Sequence, residues 1–250
     1  MAQQRRVALI TGSGRNIGRA VALGLAEDGF DVVINGASDR AACEAVARQA
    51  QALGASALVV MGDVGNREDA TRLAREAMGM SGRVDALVNN AAIRPHGPFL
   101  DIAEETWRRV LAVDMEAAIW LTQACLPGML AQGWGRIVNV TGMNAIQGHA
   151  GHAAVSVAKH AVWGLTKSLA KEFAAQGITA NAVSPGPTAQ DEDGTADTEA
   201  TRRRQATIAR IPTGRLGTPV EIAAVVRTMV SDAGAFINGQ MVQVNGGTQT

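Results

Sequence analysis

The stretch VALITGSGRNIGRAVALGLA, residues 7–26, decides the fold. It runs from a short aliphatic strand through a glycine-rich turn into an alanine-rich helix. Gly12 and Gly14 let the backbone turn tightly, and Gly18 lets the helix pack closely on the sheet. The start of that helix presents unpaired N–H groups and the positive end of its dipole to a pyrophosphate. With Arg15, Asn16 and Ile17 completing the turn, residues 12–18 read as the phosphate cradle of a dinucleotide site at the head of a βαβ unit.

Outward from this unit, short aliphatic or β-branched runs alternate with helix-length stretches. Strands are expected at 6–11, 31–35, 57–61, 86–90, 136–141, 178–183 and 240–244, and helices at about 17–28, 39–53, 67–80, 104–132, 153–176 and 219–230. Most of the strands are apolar on both faces, as in a parallel sheet covered by helices on each side. The expectation is an α/β protein: a single Rossmann-like domain over 1–250, built on a doubly wound parallel sheet of seven strands with helices on both faces. The exception to the alternation is the polar tract TAQDEDGTADTEATRRRQ, residues 188–205. It reads as part of a mobile substrate loop at about 188–211.

Composition bounds the partners. The chain is 47% hydrophobic and 18% charged, with a formal net charge of zero, an ordinary balance for a cytosolic globular protein. Nucleic-acid binding normally needs a basic surplus, so no such partner is expected. Arg202, Arg203 and Arg204 form one dense basic run and read as a solvated helix face. The N-terminus lacks a signal-peptide core, and no uninterrupted apolar stretch approaches the ~18 residues that span a bilayer. A cytoplasmic location and a small-molecule substrate are expected, with no membrane partner. Cys43 and Cys125 are far apart and outside any CxxC pair, so buried free thiols are expected rather than a disulfide or a metal site.

A dinucleotide site usually carries an acid at the end of the second strand to hold the ribose of NAD. Here Asn35 and Gly36 stand at that end, so no carboxylate repels a 2′-phosphate. Arg15 and Arg40 are placed to neutralise one. NADP(H) is therefore expected in preference to NAD(H).

With these residues in place the chain resembles the short-chain dehydrogenase/reductase family from Arg6 to Gly247. TGSGRNIG is similar to the family's TGxxxGxG, with Asn16 in place of the middle glycine. Asp63 and Val64 fall where the family contacts adenine, and Asn90 and Ala91 lie in NNAA, similar to its NNAG. NAVSPGPT supplies Pro185, Gly186 and Thr188, in the stretch that cradles nicotinamide and phosphate. The resemblance also implies a homo-oligomer, a tetramer, assembled through the helices at 104–132 and 153–176.

The family's Asn, Ser, Tyr and Lys set is not carried over intact. Lys159, which would grip the nicotinamide ribose, is present, but the tyrosine position is Val155, the serine position Gly142 and the asparagine position Asp114. The chain holds no tyrosine at all. Three residues are candidates for catalysis: Lys159; Asp114, as a base or as an ion-pair partner reaching Lys159 through water; and His152, two ideal turns before Lys159 on the same helix face. His96 and Arg94 are placed in a loop lining the substrate cleft. Ser156 and Thr141 are expected to miss the site, and restoring Gly142→Ser with Val155→Tyr is expected to create some ketone reduction. The leading expectation is an NADP(H)-binding oxidoreductase whose substrate needs little acid catalysis. The alternatives are a non-catalytic subunit forming a hetero-oligomer with an active homologue, and a lyase or isomerase on the same fold.

Overall fold

The seven aliphatic runs pair into one parallel sheet in the order β3-β2-β1-β4-β5-β6-β7. The strands are β1 Val7–Ile10, β2 Asp31–Gly36, β3 Ala57–Met61, β4 Ala86–Asn89, β5 Gly135–Val140, β6 Ile178–Pro185 and β7 Met241–Val244. The computed structural model describes residues 5–191 and 198–249. Its helices are α1 Asn16–Glu27, α2 Arg40–Ala52, α3 Arg67–Met78, α4 Glu104–Leu111, α5 Ala117–Gln132, α6 Ala153–Phe173, α7 Thr198–Ile208 and α8 Pro219–Val230.

Strand residues alternate between two cores. Ala8, Ile10, Val32 and Ile34 pack on one side with α1, α2 and α8. Val7, Leu9 and Val33 pack on the other with α3, α5 and Leu169 of α6. Both faces are buried, which is why the strands read as near-continuous aliphatic runs. Burying each such side chain contributes about 1.5–3 kcal/mol. The strand order turns back between β1 and β4, and ligands of open α/β sheets bind at the carboxyl ends of the strands beside such a switch point.

Two elements differ from the sequence expectation. The single helix expected at 104–132 is α4, a π-helical turn Ala112–Glu116, and α5. By length and composition this continuous run of 29 residues is able to cross a bilayer, although its Leu121, Cys125 and Met129 are buried in the core beneath α3. Within the expected loop at 188–211, residues 198–208 form α7. That helix is polar along its length, so it carries no apolar periodicity to betray it, and it is held in part by the ion pair of Glu199 with Arg203 one turn on. Residues 192–197 of the expected loop lie outside the described residues. Cys43 and Cys125 are free and buried, and burial pushes the Cys125 thiol up to about 12.

Candidate functional site

At the switch point Thr11 ties β1 to β4. Its hydroxyl accepts hydrogen bonds from the Asn90 and Ala91 amides at 2.9 and 3.0 Å. The Asn90 side chain returns two, to Thr11 O at 2.9 Å and Gly12 O at 3.1 Å. Gly12 sits at φ +61°, with Ala91 Cα only 3.0 Å from where a Cβ would stand. A Cβ on Gly18 would lie 2.3 Å from Gly12 O, so only glycine lets α1 approach the turn this closely. Gly14 differs from its expected role: it is absent from the positive-φ residues, and its small size instead makes room for Cys43 Sγ, 3.0 Å from a virtual Cβ.

Asn16 has φ +50° and is the one non-glycine residue with positive φ among the described residues. Asparagine is among the few residues that tolerate the left-handed region. Asparagine therefore fits this turn with less strain than a bulkier or β-branched residue would carry. Arg15, the residue before α1, is extended and makes no capping hydrogen bond, and the first turn of α1 has no acid. Ile17 is partly buried and packs on the core beneath the turn.

At the end of β2, Asn35 is a buried brace. Its side chain accepts from Gly12 N at 3.3 Å and donates to Val60 O and Gly62 O, both at 3.1 Å. Arg40 is exposed and pairs with Glu44 at 3.8 Å. The Asp63 carboxylate accepts from Gly65 N at 2.9 Å and meets Arg109 of α4 at 2.6 Å, an ion pair that nothing in the local sequence announces. Val64 is buried beside it. After β6, the Gly186 amide donates to Val244 O at 2.9 Å, and a Cβ there would lie 2.6 Å from Asn245 Cα. The Thr188 hydroxyl donates to Gly186 O at 2.9 Å, and Pro185 closes the strand.

The catalytic candidates separate. The π turn swings Asp114 inward, where it is buried. Asp114 Oδ1 accepts from Ile93 N at 2.8 Å, and Oδ2 lies 3.3 Å from Lys159 Nζ. The contact is direct, not through water as expected. Lys159 donates its hydrogen bond to Val140 O at 3.1 Å. The two side chains are only 4% and 0% exposed, and burial pushes the Lys159 amine below the ordinary lysine range while Asp114 holds it up. A cavity of about 10 Å³ lies beside the pair, lined by Thr11, Asn89, Ala91, Val64 and Val140, room for about one water.

His152 makes its contacts with other histidines. It is the residue before α6, with φ −128°, so helical spacing does not apply to it. Its Nδ1 lies 3.1 Å from His149 Nδ1, and His96 packs edge-on with ring centroids 5.0 Å apart. Partial burial, then the neighbouring His149 and His96, push it below the usual imidazole range. Among the described residues no group of three or more His, Cys, Asp or Glu is arranged to hold a metal. Val155 is buried with Val110, Ala154 and Ala158. Gly142 sits at φ +89°. Thr141 donates to Val183 O at 3.1 Å, and Ser156 accepts from the Asn144 side chain at 3.5 Å.

One contact was invisible in the sequence. The Asn16 amide donates to Asp191 Oδ2 at 2.8 Å, and the Asp191 amide donates to Asn16 Oδ1 at 2.9 Å. Arg19 approaches the same carboxylate at 3.8 Å. The partners are 175 residues apart, and the polar tract containing Asp191 offers no local sign of the pairing.

The glycine cradle and the start of α1 fit a dinucleotide, with the 12–18 turn on its pyrophosphate and Asn90, Ala91 and the 185–188 segment toward its nicotinamide end. Comparisons with known proteins agree. A family profile described as Enoyl-(Acyl carrier protein) reductase matches residues 12–249. The chain is 37% identical over 243 residues to a 3-oxoacyl-[acyl-carrier-protein] reductase of Synechocystis, covering 97% of this chain and 96% of that one. A solved structure from Beutenbergia cavernae, provisionally assigned as an NAD(P)-dependent gluconate 5-dehydrogenase with NADP bound at low occupancy, superposes with TM-score 0.88 at 38% identity, covering 97% and 96% of the two chains. An acetoin dehydrogenase of Salmonella typhimurium gives TM-score 0.90 at 33% identity, covering 98% and 96%.

Proposed function

Because the chain belongs to the short-chain dehydrogenase/reductase family, a family of oxidoreductases, we propose that it binds NADP(H) and acts on a small molecule that needs little acid catalysis. The bound dinucleotide supplies or accepts hydride. The chain's own residues hold it: the 12–18 turn on the pyrophosphate, Asp63 and Val64 toward adenine, and Asn90, Ala91, Pro185, Gly186 and Thr188 toward nicotinamide. The carrying observation is the buried Lys159–Asp114 pair, with Val155 and Gly142 at the sequence positions of the family's tyrosine and serine. That cluster offers no hydroxyl to protonate a developing alkoxide, so an acceptor already activated, such as an iminium, suits it better than a ketone. The test is a spectrophotometric survey of NADPH oxidation across imines, iminium salts and ketones. Turnover confined to ketones would sink the proposal.

NADP(H) preference rests on the β2 end, where Asn35 is turned into the interior and Gly36 brings no carboxylate to repel a 2′-phosphate, and on the NADP in the Beutenbergia relative. NADPH is expected to bind at least about tenfold more tightly than NADH, about 1.4 kcal/mol, by fluorescence titration. Equal or reversed affinities count against it.

A second reading, a non-catalytic subunit partnering an active homologue, is favoured by one feature: the buried Lys159 amine is held by a hydrogen bond to Val140 O and an ion pair with Asp114. Co-purification with a tyrosine-bearing homologue and no turnover alone supports that reading. Either way we propose assembly, and a homotetramer for the chain alone. The run from α4 to α5 is apolar enough to suit burial on more than one side, yet Ile119 and Trp120 are only half-buried and Val157 of α6 is 48% exposed. Light scattering is expected to give the tetramer mass, and a stable monomer refutes it.

A further inference from the structure

We infer that Asp191 is a built-in competitor for the dinucleotide site, its carboxylate holding the end of α1 that a pyrophosphate takes, so that cofactor entry displaces it. The inference rests on the reading of the 12–18 turn as a dinucleotide site. Three other helices satisfy their first turns locally: Asp39 caps α2, Asn66 caps α3, and Thr218 with Glu221 forms a reciprocal box on α8. At α1 the preceding residue, Arg15, makes no capping bond, and the first turn holds no acid. The positive end of the helix is left to whatever anion reaches it.

Asp191 reaches it. Its carboxylate accepts from Asn16 N at 2.8 Å and lies 3.8 Å from Arg19, while its amide is held in return by the Asn16 side chain at 2.9 Å. A carboxylate on a helix N-terminal amide makes the same charge-assisted bond as a phosphate oxygen. The geometry that tethers it is short and anchored: Ala189 N donates to Gly217 O at 2.8 Å, and Thr188 bridges to Gly217. The carboxylate itself is 42% exposed, so an incoming anion can replace it without unpacking the core. While the strap is closed the site is incompetent, and apparent affinity falls by the fraction of time it is closed.

The test compares the full-length protein with Asp191→Asn, which removes the charge and keeps the shape, and Asp191→Ala, which removes both. Calorimetry measures the Kd of each for inorganic pyrophosphate and, separately, for NADPH. Both variants are expected to bind pyrophosphate about tenfold more tightly than the parent, with a similar gain for NADPH. Pyrophosphate affinity unchanged or weakened in both variants overturns the inference, as does pyrophosphate bound by none of the three proteins. A pyrophosphate gain with no NADPH binding anywhere keeps the inference and defeats the NADP(H) reading. NADPH bound equally by all three, with no pyrophosphate gain, does the reverse. Asp191 is exposed and outside the core, so thermal melts of the three proteins are expected to coincide.

Discussion

Given NADPH and a simple ketone, the protein is expected to oxidise the cofactor about 10²–10⁴-fold more slowly than a relative that carries a tyrosine acid, the range that general acid–base help alone usually contributes. Val155 stands four residues before Lys159 and is buried among Val110, Ala154 and Ala158, so it neither donates a proton nor contacts water. On the proposed reading, Gly142 offers no hydroxyl to steady an oxyanion. The double change Gly142→Ser with Val155→Tyr is less promising than the sequence alone implies. Position 142 holds φ +89°, where a serine costs on the order of 1–3 kcal/mol of backbone strain. Relaxing that strain moves the hydroxyl from where it is needed. The double variant is therefore expected to stay at least about 10²-fold below the tyrosine-bearing relative. The assay is NADPH absorbance against acetoin and a 3-oxoacyl thioester, with cofactor binding confirmed separately. Brisk ketone turnover by the unmodified protein contradicts the argument, and His152→Ala then shows whether the histidine cluster supplies the acid.

The second large effect is on stability. Lys159→Met removes the cation from a buried pair and leaves the Asp114 carboxylate with the Ile93 amide alone. Breaking such a pair from one side typically costs about 3–5 kcal/mol. The double variant Lys159→Met with Asp114→Asn keeps an acceptor for Ile93 and no net charge, and is expected within about 1 kcal/mol of the parent. Denaturant unfolding of the four proteins of the cycle decides it, and a loss in the double variant equal to the sum of the two single losses would mean the pair is not coupled. The parent also has a pH signature. Burial depresses the Lys159 pKa, so between its lowered folded value and the ordinary ~10.4 of lysine the unfolded chain binds more protons than the native one. Stability contributed by Lys159 thus rises with pH across that window and is lowest below it. Lys159→Met lacks this rise.

The sheet was legible because its central strands are buried on both faces and therefore largely aliphatic, while the edge strands β3 and β7 are only partly buried. The turn was legible because Gly12 and Gly18 answer steric demands that no other residue meets. Other features depend on three-dimensional neighbours. Gly14 looked like a turn residue but yields space to Cys43. His152 was projected onto a helix that begins one residue later. The direct Asp114–Lys159 contact follows from a π turn, which no propensity scale marks. Asp191 meets Asn16 across 175 residues, a separation over which periodicity carries no information. The polar helix α7 escaped because the pattern that reveals a helix is the apolar stripe it lacks.

The π turn at Ala112–Glu116 has a further meaning as a matter of chain length. A π turn is an α-helix holding one surplus residue, tolerated because its misplaced carbonyls find other partners. Deleting a single residue between 112 and 116 would let α4 and α5 fuse into one uniform helix with the faces on either side still in phase. Leu121, Cys125 and Met129 would keep the core, while the local swing that brings Asp114 to Lys159 would be lost. The lysine's partner is thus specified by a count of residues as much as by an aspartate codon, and indels in this helix rank with point substitutions as routes by which such a site is gained or lost.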